Sequence, residues 1–304
     1  MKRLLLTTSL VTGLALALVG CKTFDIVTKV TTSVGVATGK ISSSEARSIN
    51  RTASAAGKAF EQITPEQEYY IGRSVAASLL GQYKAADLKA ANQYLNLLGQ
   101  TLATQSDKPE TFGGYHFAIM DSDEINAFAA PGGLILISRG LLRCCQSEDA
   151  VAAVLAHEIG HVQAEHGLRA IKKSRLTSAF TILAAEGAKN LGGEQLAQLT
   201  TAFEGTITDI TGTLINSGYS RTLESEADAA AITIMQRTGY NPRALEAMLE
   251  QMHTRMPADD KGFGKTHPDP QDRIKDIALL LEGEGAIEEQ AARQKRFEKA
   301  MKGV

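Results

Sequence analysis

Ser147-Glu148-Asp149-Ala150-Val151-Ala152-Ala153-Val154-Leu155-Ala156-His157-Glu158-Ile159-Gly160-His161 is the stretch on which the reading of this chain turns. Ser147 is a helix cap by residue type, and Glu148 and Asp149 suit the positive first turn. Ala150 to Ala156 is an uninterrupted small or apolar run, as in a buried helix. Two histidines four residues apart on that helix point about 40° from each other around its axis, so both imidazoles reach one ion from one face. Neutral imidazole binds zinc at roughly 2.0–2.1 Å. Glu158 is turned away from the ligand row but stays within reach of a metal-activated water, which makes it the candidate general base. The pentapeptide taken alone is also compatible with a plain helix carrying two hydrogen-bonded histidines.

A hydrolytic zinc takes three protein ligands and leaves one position for water, so a further donor must come from elsewhere in the chain. Glu224-Ser225-Glu226-Ala227-Asp228 falls in a predicted helix from about Arg221 to Arg237. Glu224 and Asp228 are four apart and share a face, so one can bind metal while the other accepts the free ring N–H of His157 or His161. By spacing alone Glu226 is an equal candidate for the ligand.

The stretch Tyr219-Ser220-Arg221 with Glu224 to Asp228, together with His157 to His161, resembles the HtpX-like zinc metallopeptidase family, which also includes the CAAX prenyl proteases. The resemblance runs from about Ile63 to Leu280. It implies an α+β, mainly helical, zincin-like fold with the active-site helix beside a small β-sheet. It implies one zinc ion per chain, held by His157, His161 and Glu224, with Asp228 behind the site. Asp123 to Gly133 looks like the family's segment ahead of the active-site helix, which implies a substrate-facing role for Asn126; a turn or strand-end asparagine is the plainer reading. Thr266-His267-Pro268-Asp269-Pro270-Gln271-Asp272-Arg273-Ile274 resembles the family's His-Pro segment followed by an arginine. In periplasmic members such a histidine occupies the fourth zinc position and gates the enzyme, which gives His267 that role or, more simply, a place on the cleft rim. Arg273 meets a carboxylate of the site, a substrate carbonyl or a surface partner.

The apolar alternation of Tyr115–Met120 and Leu134–Ile137 predicts the small sheet, whose edge strand can hold an extended peptide by backbone pairing. Helices are expected over Pro65–Leu80 and Ala85–Thr104. Two more are expected around Arg169–Lys189 and Glu194–Ile215, parted at Gly192-Gly193. From Glu282 onward the chain is charged and Ala-rich, an exposed helix at best. Cys144 and Cys145 are adjacent, which strains a bond between them, so packing is expected instead. His116, His166 and His253 are read as structural or surface residues.

The N-terminus reads as a targeting segment: Lys2 and Arg3, an apolar core from Leu4 to Gly20, then Leu18-Val19-Gly20-Cys21, which looks like a bacterial lipoprotein cleavage box. The organisation expected is a signal peptide over 1–20, a lipidated Cys21 with a Ser-, Thr-, Ala- and Gly-rich tether over 21–62, a metallopeptidase domain over 63–283 and a tail over 284–304. Lys22 lacks the aspartate of inner-membrane retention and points to the periplasmic face of the outer membrane, in the periplasmic lipoprotein branch of the family. Leu176–Ala185, the best later uncharged run, is half the length of a span.

These features add up to a zinc endopeptidase of the bacterial envelope that cleaves misfolded or outer-membrane proteins. Its partners are protein substrates, the outer membrane through its lipid anchor, and outer-membrane assembly proteins. With 32 Lys and Arg against 34 Asp and Glu, a formal charge of −2, nucleic acid is not among them. The alternative is a chaperone or scaffold lipoprotein in outer-membrane assembly whose zinc site is mostly closed. Two histidines and a carboxylate also suit non-haem iron, which metal analysis separates. A purely structural zinc leaves Glu158 without a task.

Overall fold

The computed structural model of the chain describes residues 63–169, 204–256, 266–283, 285, 287 and 290–304. Two compact units divide the chain: one joins Thr64–Ile171 to Ile207–Val304, and the other, Met1–Ile63 with Lys172–Thr206, lies almost wholly outside the described residues. The signal segment, Cys21, the tether, the Gly192-Gly193 break, Leu176–Ala185 and most of the two helices expected between His161 and Glu224 therefore lie outside them too.

Within the first of these units the elements are α1 (Pro65–Gln82), α2 (Lys89–Ala103), β1 (His116–Met120), β2 (Ala127–Ala130), β3 (Leu134–Ser138), α3 (Arg139–Leu142), α4 (Glu148–Gln163), α5 (His166–Arg169), α6 (Arg221–Thr238), α7 (Ala244–Arg255), α8 (Pro270–Leu280) and α9 (Ala291–Ala300). A π turn over Thr213–Ser217 precedes α6. The expected mainly helical α+β architecture is the one observed.

Helix α4 is the axis of the core. The Ser147 hydroxyl accepts from the Ala150 N–H at 3.1 Å, and every residue from Glu148 to Val162 is buried. A helix so enclosed needs neighbours that approach closely, which its small residues permit. At Gly160 a Cβ would lie 2.9 Å from the Ala227 carbonyl oxygen of α6, so the two backbones pass nearly in contact there. Helix α6 runs as its sequence predicts.

Strand β3 is central, parallel to β1 and antiparallel to β2. Helix α2 closes the outer edge of β1 with two asparagines. Asn96 accepts from the Phe117 N–H at 3.0 Å and donates to its carbonyl at 2.6 Å, and Asn92 accepts from the Ile119 N–H at 3.0 Å. This leaves β2 as the other edge of the sheet. Its four residues, three alanines and Phe128, are all apolar and uniformly buried and show no alternation, which is why the sequence pattern missed it. The second helix starts at Lys89, not Ala85, because Ala85 is taken up in an antiparallel bridge to Met120.

The charged tail differs most from expectation. Helix α9 is packed: Phe297 joins the core around α4, and Arg293 lies over the Tyr240 ring, 4.0 Å from its centroid. The expectation of exposure counted charges, but these charges have buried partners. Glu148 accepts from Tyr94 at 3.3 Å, Tyr240 at 3.0 Å and Arg296 at 2.5 and 3.1 Å. Asp149 accepts from the Asn241 N–H and from Arg293. The two acids thus tie α4 to α9 as well as suiting the helix dipole. Cys144 and Cys145 are free and buried, and burial pushes both thiols up. No helix among the described residues is long and apolar enough to cross a membrane.

If the tail is part of the core, Phe297→Ala will cost about 3 kcal/mol of unfolding free energy, as for other buried aromatics. Urea denaturation checks this, and an unchanged midpoint would return α9 to the solvent.

Candidate active site

Helix α4 presents His157 and His161 one turn apart, with their Nε2 atoms 3.1 Å apart. Helix α6 brings Glu224 to the same point, its carboxylate oxygens 3.6 Å from His157 Nε2 and 3.5 Å from His161 Nε2. The segment before α8 adds His267, whose Nδ1 lies 2.9 Å from Glu224 Oε2. These four buried side chains could hold one metal ion, each offering an atom within 4.8 Å of the others. His267 is placed by a backbone crossing: at Gly218, with φ of 62°, a Cβ would lie 1.9 Å from the Thr266 carbonyl oxygen.

The outer nitrogens of the two α4 histidines are engaged on opposite sides. His157 Nδ1 lies 2.8 Å from Asp228 Oδ1, and Asp228 takes a two-pronged grip from Arg273, at 3.0 Å from Nε and 2.5 Å from Nη2. His161 Nδ1 lies 2.8 Å from Nδ1 of His166, whose Nε2 is 3.0 Å from Glu226. If each Nδ1 carries the proton its partner accepts, both Nε2 lone pairs point into the space shared with Glu224. Two lone pairs 3.1 Å apart repel unless a cation or a proton lies between them.

Charge counting points the same way. Glu158, Glu224 and Asp228 are buried with Arg273 as their guanidinium, so with neutral histidines the site is two charges short of neutrality. A divalent ion supplies that difference, and a soft-to-borderline one suits two imidazoles and a carboxylate. The proton affinities of the site's own groups are shifted as well. Burial and Arg273 favour neutral His157, but Asp228 outweighs them and lifts its pKa to about 9. Burial likewise pushes Glu158 above the ordinary carboxylate range against the pull of His157, His267 and Arg273. Glu224 is the exception: burial would raise it, yet His267, His157 and His161 hold it well below that range. Its Oε1 has no hydrogen-bond partner, as befits an atom reserved for an ion.

Glu158 lines two small cavities. One is formed with Ala127–Ala129 of β2, Leu214, Gly218, Tyr219, Thr266 and His267; the other lies against His157, Met248, Met252 and Arg273. Each has a volume of about 10 Å³, room for one water. The edge strand β2 thus runs past Glu158, under the segment that carries His267.

Other sequence candidates fall as follows. Glu226, equal to Glu224 by spacing, faces away from the cluster, bonded to His166 and to Arg169 at 2.6 Å. Asn126 is buried; its Oδ1 accepts from the Ala127 N–H at 2.9 Å and from the Thr266 hydroxyl at 3.2 Å, which ties the start of β2 to the residue beside His267. His116 and His253 are exposed. His166, read as structural or surface, is fully buried against His161, and Tyr219 stacks on the His161 ring at 4.5 Å.

A buried helix offering two imidazoles and an adjacent carboxylate, met by a carboxylate from a second helix beside a three-stranded sheet, is the make-up of a zincin-like metallopeptidase. The chain belongs to peptidase family M48, which matches residues 89–280. It is similar to the beta-barrel assembly-enhancing protease of Escherichia coli (strain K12), 30% identical over 212 residues that cover 69% of this chain and 43% of that protein. It is also similar to the mitochondrial metalloendopeptidase OMA1 of Schizosaccharomyces pombe, 34% identical over 158 residues, 51% of this chain and 43% of that one. The metalloprotease LoiP of Escherichia coli (strain K12) is 25% identical over 170 residues, 56% of this chain and 64% of that one. The chain thus spans less than half the length of the first two.

The Arg273–Asp228 pair makes a stability prediction independent of metal. Arg273→Leu strips buried Asp228 of its two-pronged guanidinium partner, leaving only His157 beside it, and will cost about 3 kcal/mol, measured by denaturation in excess chelator. Arg273→Lys will recover only part of this, because an ammonium cannot grip both oxygens.

Proposed function

We propose that this chain is a zinc-dependent endopeptidase of the bacterial envelope, in which His157, His161 and Glu224 hold the ion and Glu158 is the general base. The observation that carries this reading is the convergence of two imidazoles and the unpartnered Glu224 oxygen on one buried point beside Glu158. The chemistry a bound zinc supplies is polarisation of the scissile carbonyl and acidification of a water. Glu158 takes the proton of the attacking water and passes it to the leaving amine, a task for which a raised carboxyl pKa is suited. Asp228, held by Arg273, keeps His157 in the tautomer that presents Nε2 inward. The edge of β2 receives the substrate backbone as an added strand.

Anchoring through a lipid on Cys21 at the periplasmic face of the outer membrane rests on Leu18–Cys21 and Lys22. That one relative is named for assisting β-barrel assembly supports misfolded or outer-membrane proteins as substrates, and assembly proteins as partners. In this reading His267 gates the site from the fourth position, with Asn126 and Thr266 holding it against β2.

A second reading, a chaperone or scaffold with a mostly closed site, is favoured by the one-water spaces beside Glu158 and by the His267–Glu224 contact. The two part on the behaviour of His267→Ala. Under the gated-protease reading casein cleavage rises several-fold; activity absent from every form, with partner binding intact, supports the scaffold.

Glu158→Gln tests the mechanism itself. Zinc content by elemental analysis will stay at one ion per chain, while casein cleavage falls by about 10²–10⁴-fold, the usual contribution of a general base. Undiminished cleavage would remove Glu158 from the reaction.

A further inference from the structure

We propose that His166, backed by Glu226, is the positioning residue for His161, fixing its tautomer from outside the metal cluster. The inference rests on reading His161 as a metal ligand. Histidine ligands commonly donate their second ring N–H to a carboxylate, a carbonyl or water, and His157 fits this pattern through Asp228. His161 has an imidazole in that position instead, 2.8 Å away.

The backbone makes a detour to put it there. Five residues along a continuous helix would turn His166 about 140° away from His161. Helix α4 stops at Gln163, however, and Glu165 takes a left-handed conformation with φ of 55° before α5 restarts at His166. A residue other than glycine pays roughly 1–2 kcal/mol to be there. An ion pair at 3.0 Å between Lys108 and the Glu165 carboxylate holds the turn. The result folds the His166 ring back beneath His161, fully buried, while Glu226 and Arg169 at the far end are 41% and 47% exposed.

With both rings neutral, only one proton arrangement satisfies this chain. The Glu226 carboxylate, paired with Arg169, can only accept, so the proton of a neutral His166 ring sits on Nε2, 3.0 Å from it. His166 Nδ1 is then a lone pair and must accept from His161 Nδ1–H. That leaves the His161 Nε2 lone pair directed at Glu224 and His157. The opposite tautomers would set two acceptors against each other at Glu226 and turn an N–H into the metal position. An exposed carboxylate on α6 thereby dictates, through a buried ring, which nitrogen of His161 is free to bind.

The test compares two amides that differ in where their oxygen can sit. The Oδ1 of His166→Asn falls near the place of Nδ1 and can still accept from His161; His166→Gln reaches toward Glu226 and leaves that place empty. Zinc affinity of the full chain is measured by competition with a chromogenic chelator, and the cobalt(II)-substituted forms are compared by their visible spectra. His166→Asn is expected to stay within a few-fold of wild type with a matching spectrum. His166→Gln is expected to bind about 10–100-fold more weakly with a shifted one. Unfolding midpoints in excess chelator remove any contribution from folding. Equal affinities for wild type and His166→Gln, or equal losses in both variants, would overturn the positioning role while leaving the metal site intact. A wild-type chain that takes up no zinc would instead overturn the reading of the site, and this inference with it.

Discussion

Two imidazole nitrogens facing each other at 3.1 Å inside an apolar helix are the constraint around which the rest is arranged. In water such a pair would be separated by solvent; within α4 it is stable only if the outer nitrogens are held by acceptors and something positive occupies the middle. The acceptors must come from opposite sides. Asp228 approaches on α6, which requires α6 to lie almost backbone-to-backbone with α4, and Gly160 against Ala227 provides that closeness. His166 approaches through the turn that ends α4. The two supports share an ending: each chain from a ring nitrogen reaches a carboxylate gripped by an arginine, buried for Arg273 and solvent-facing for Arg169.

Burial makes the charges expensive and therefore specific. With three carboxylates and one guanidinium buried at the site, the proton affinities of His157 and Glu158 are both raised, His157 by Asp228 and Glu158 by burial. Metal binding and proton release are consequently linked, as at other sites built from histidine and carboxylate. Helix α9 steadies the opposite end of α4 by similar means, through Glu148 and Asp149. A helix held at both ends by charged partners and along its length by alanine packing has little freedom to reorient its histidines.

Sequence reading succeeded where the determinant was local. The cap at Ser147, the paired faces of α4 and α6, and the runs forming β1 and β3 each follow from periodicity within a few residues. It could not separate Glu224 from Glu226, which are two apart on one helix; resemblance favoured Glu224, and the structure puts Glu224 in the cluster and Glu226 behind His166. It missed what depends on distant partners or on a break in regularity. Strand β2 exists because β3 pairs with Ala127–Ala130, and α9 is buried because residues more than a hundred positions away accept from its arginines. His166, five residues past His161, would lie off the ligand face if α4 continued; Glu165 ends the helix and brings it back under His161.

The one-water spaces beside Glu158 bear on how this site meets small molecules. A hydroxamate or a peptide mimic needs more room than either offers; if His267 gates the site as proposed, it would have to wait for the Thr266–His267 segment to lift from β2. Its rate of inhibition would then saturate at the opening rate of the protein, however tightly it binds once inside. Under that proposal, slow-onset inhibitors that carry their own imidazole-like group in place of His267 would suit such a site better than compounds optimised for an open groove.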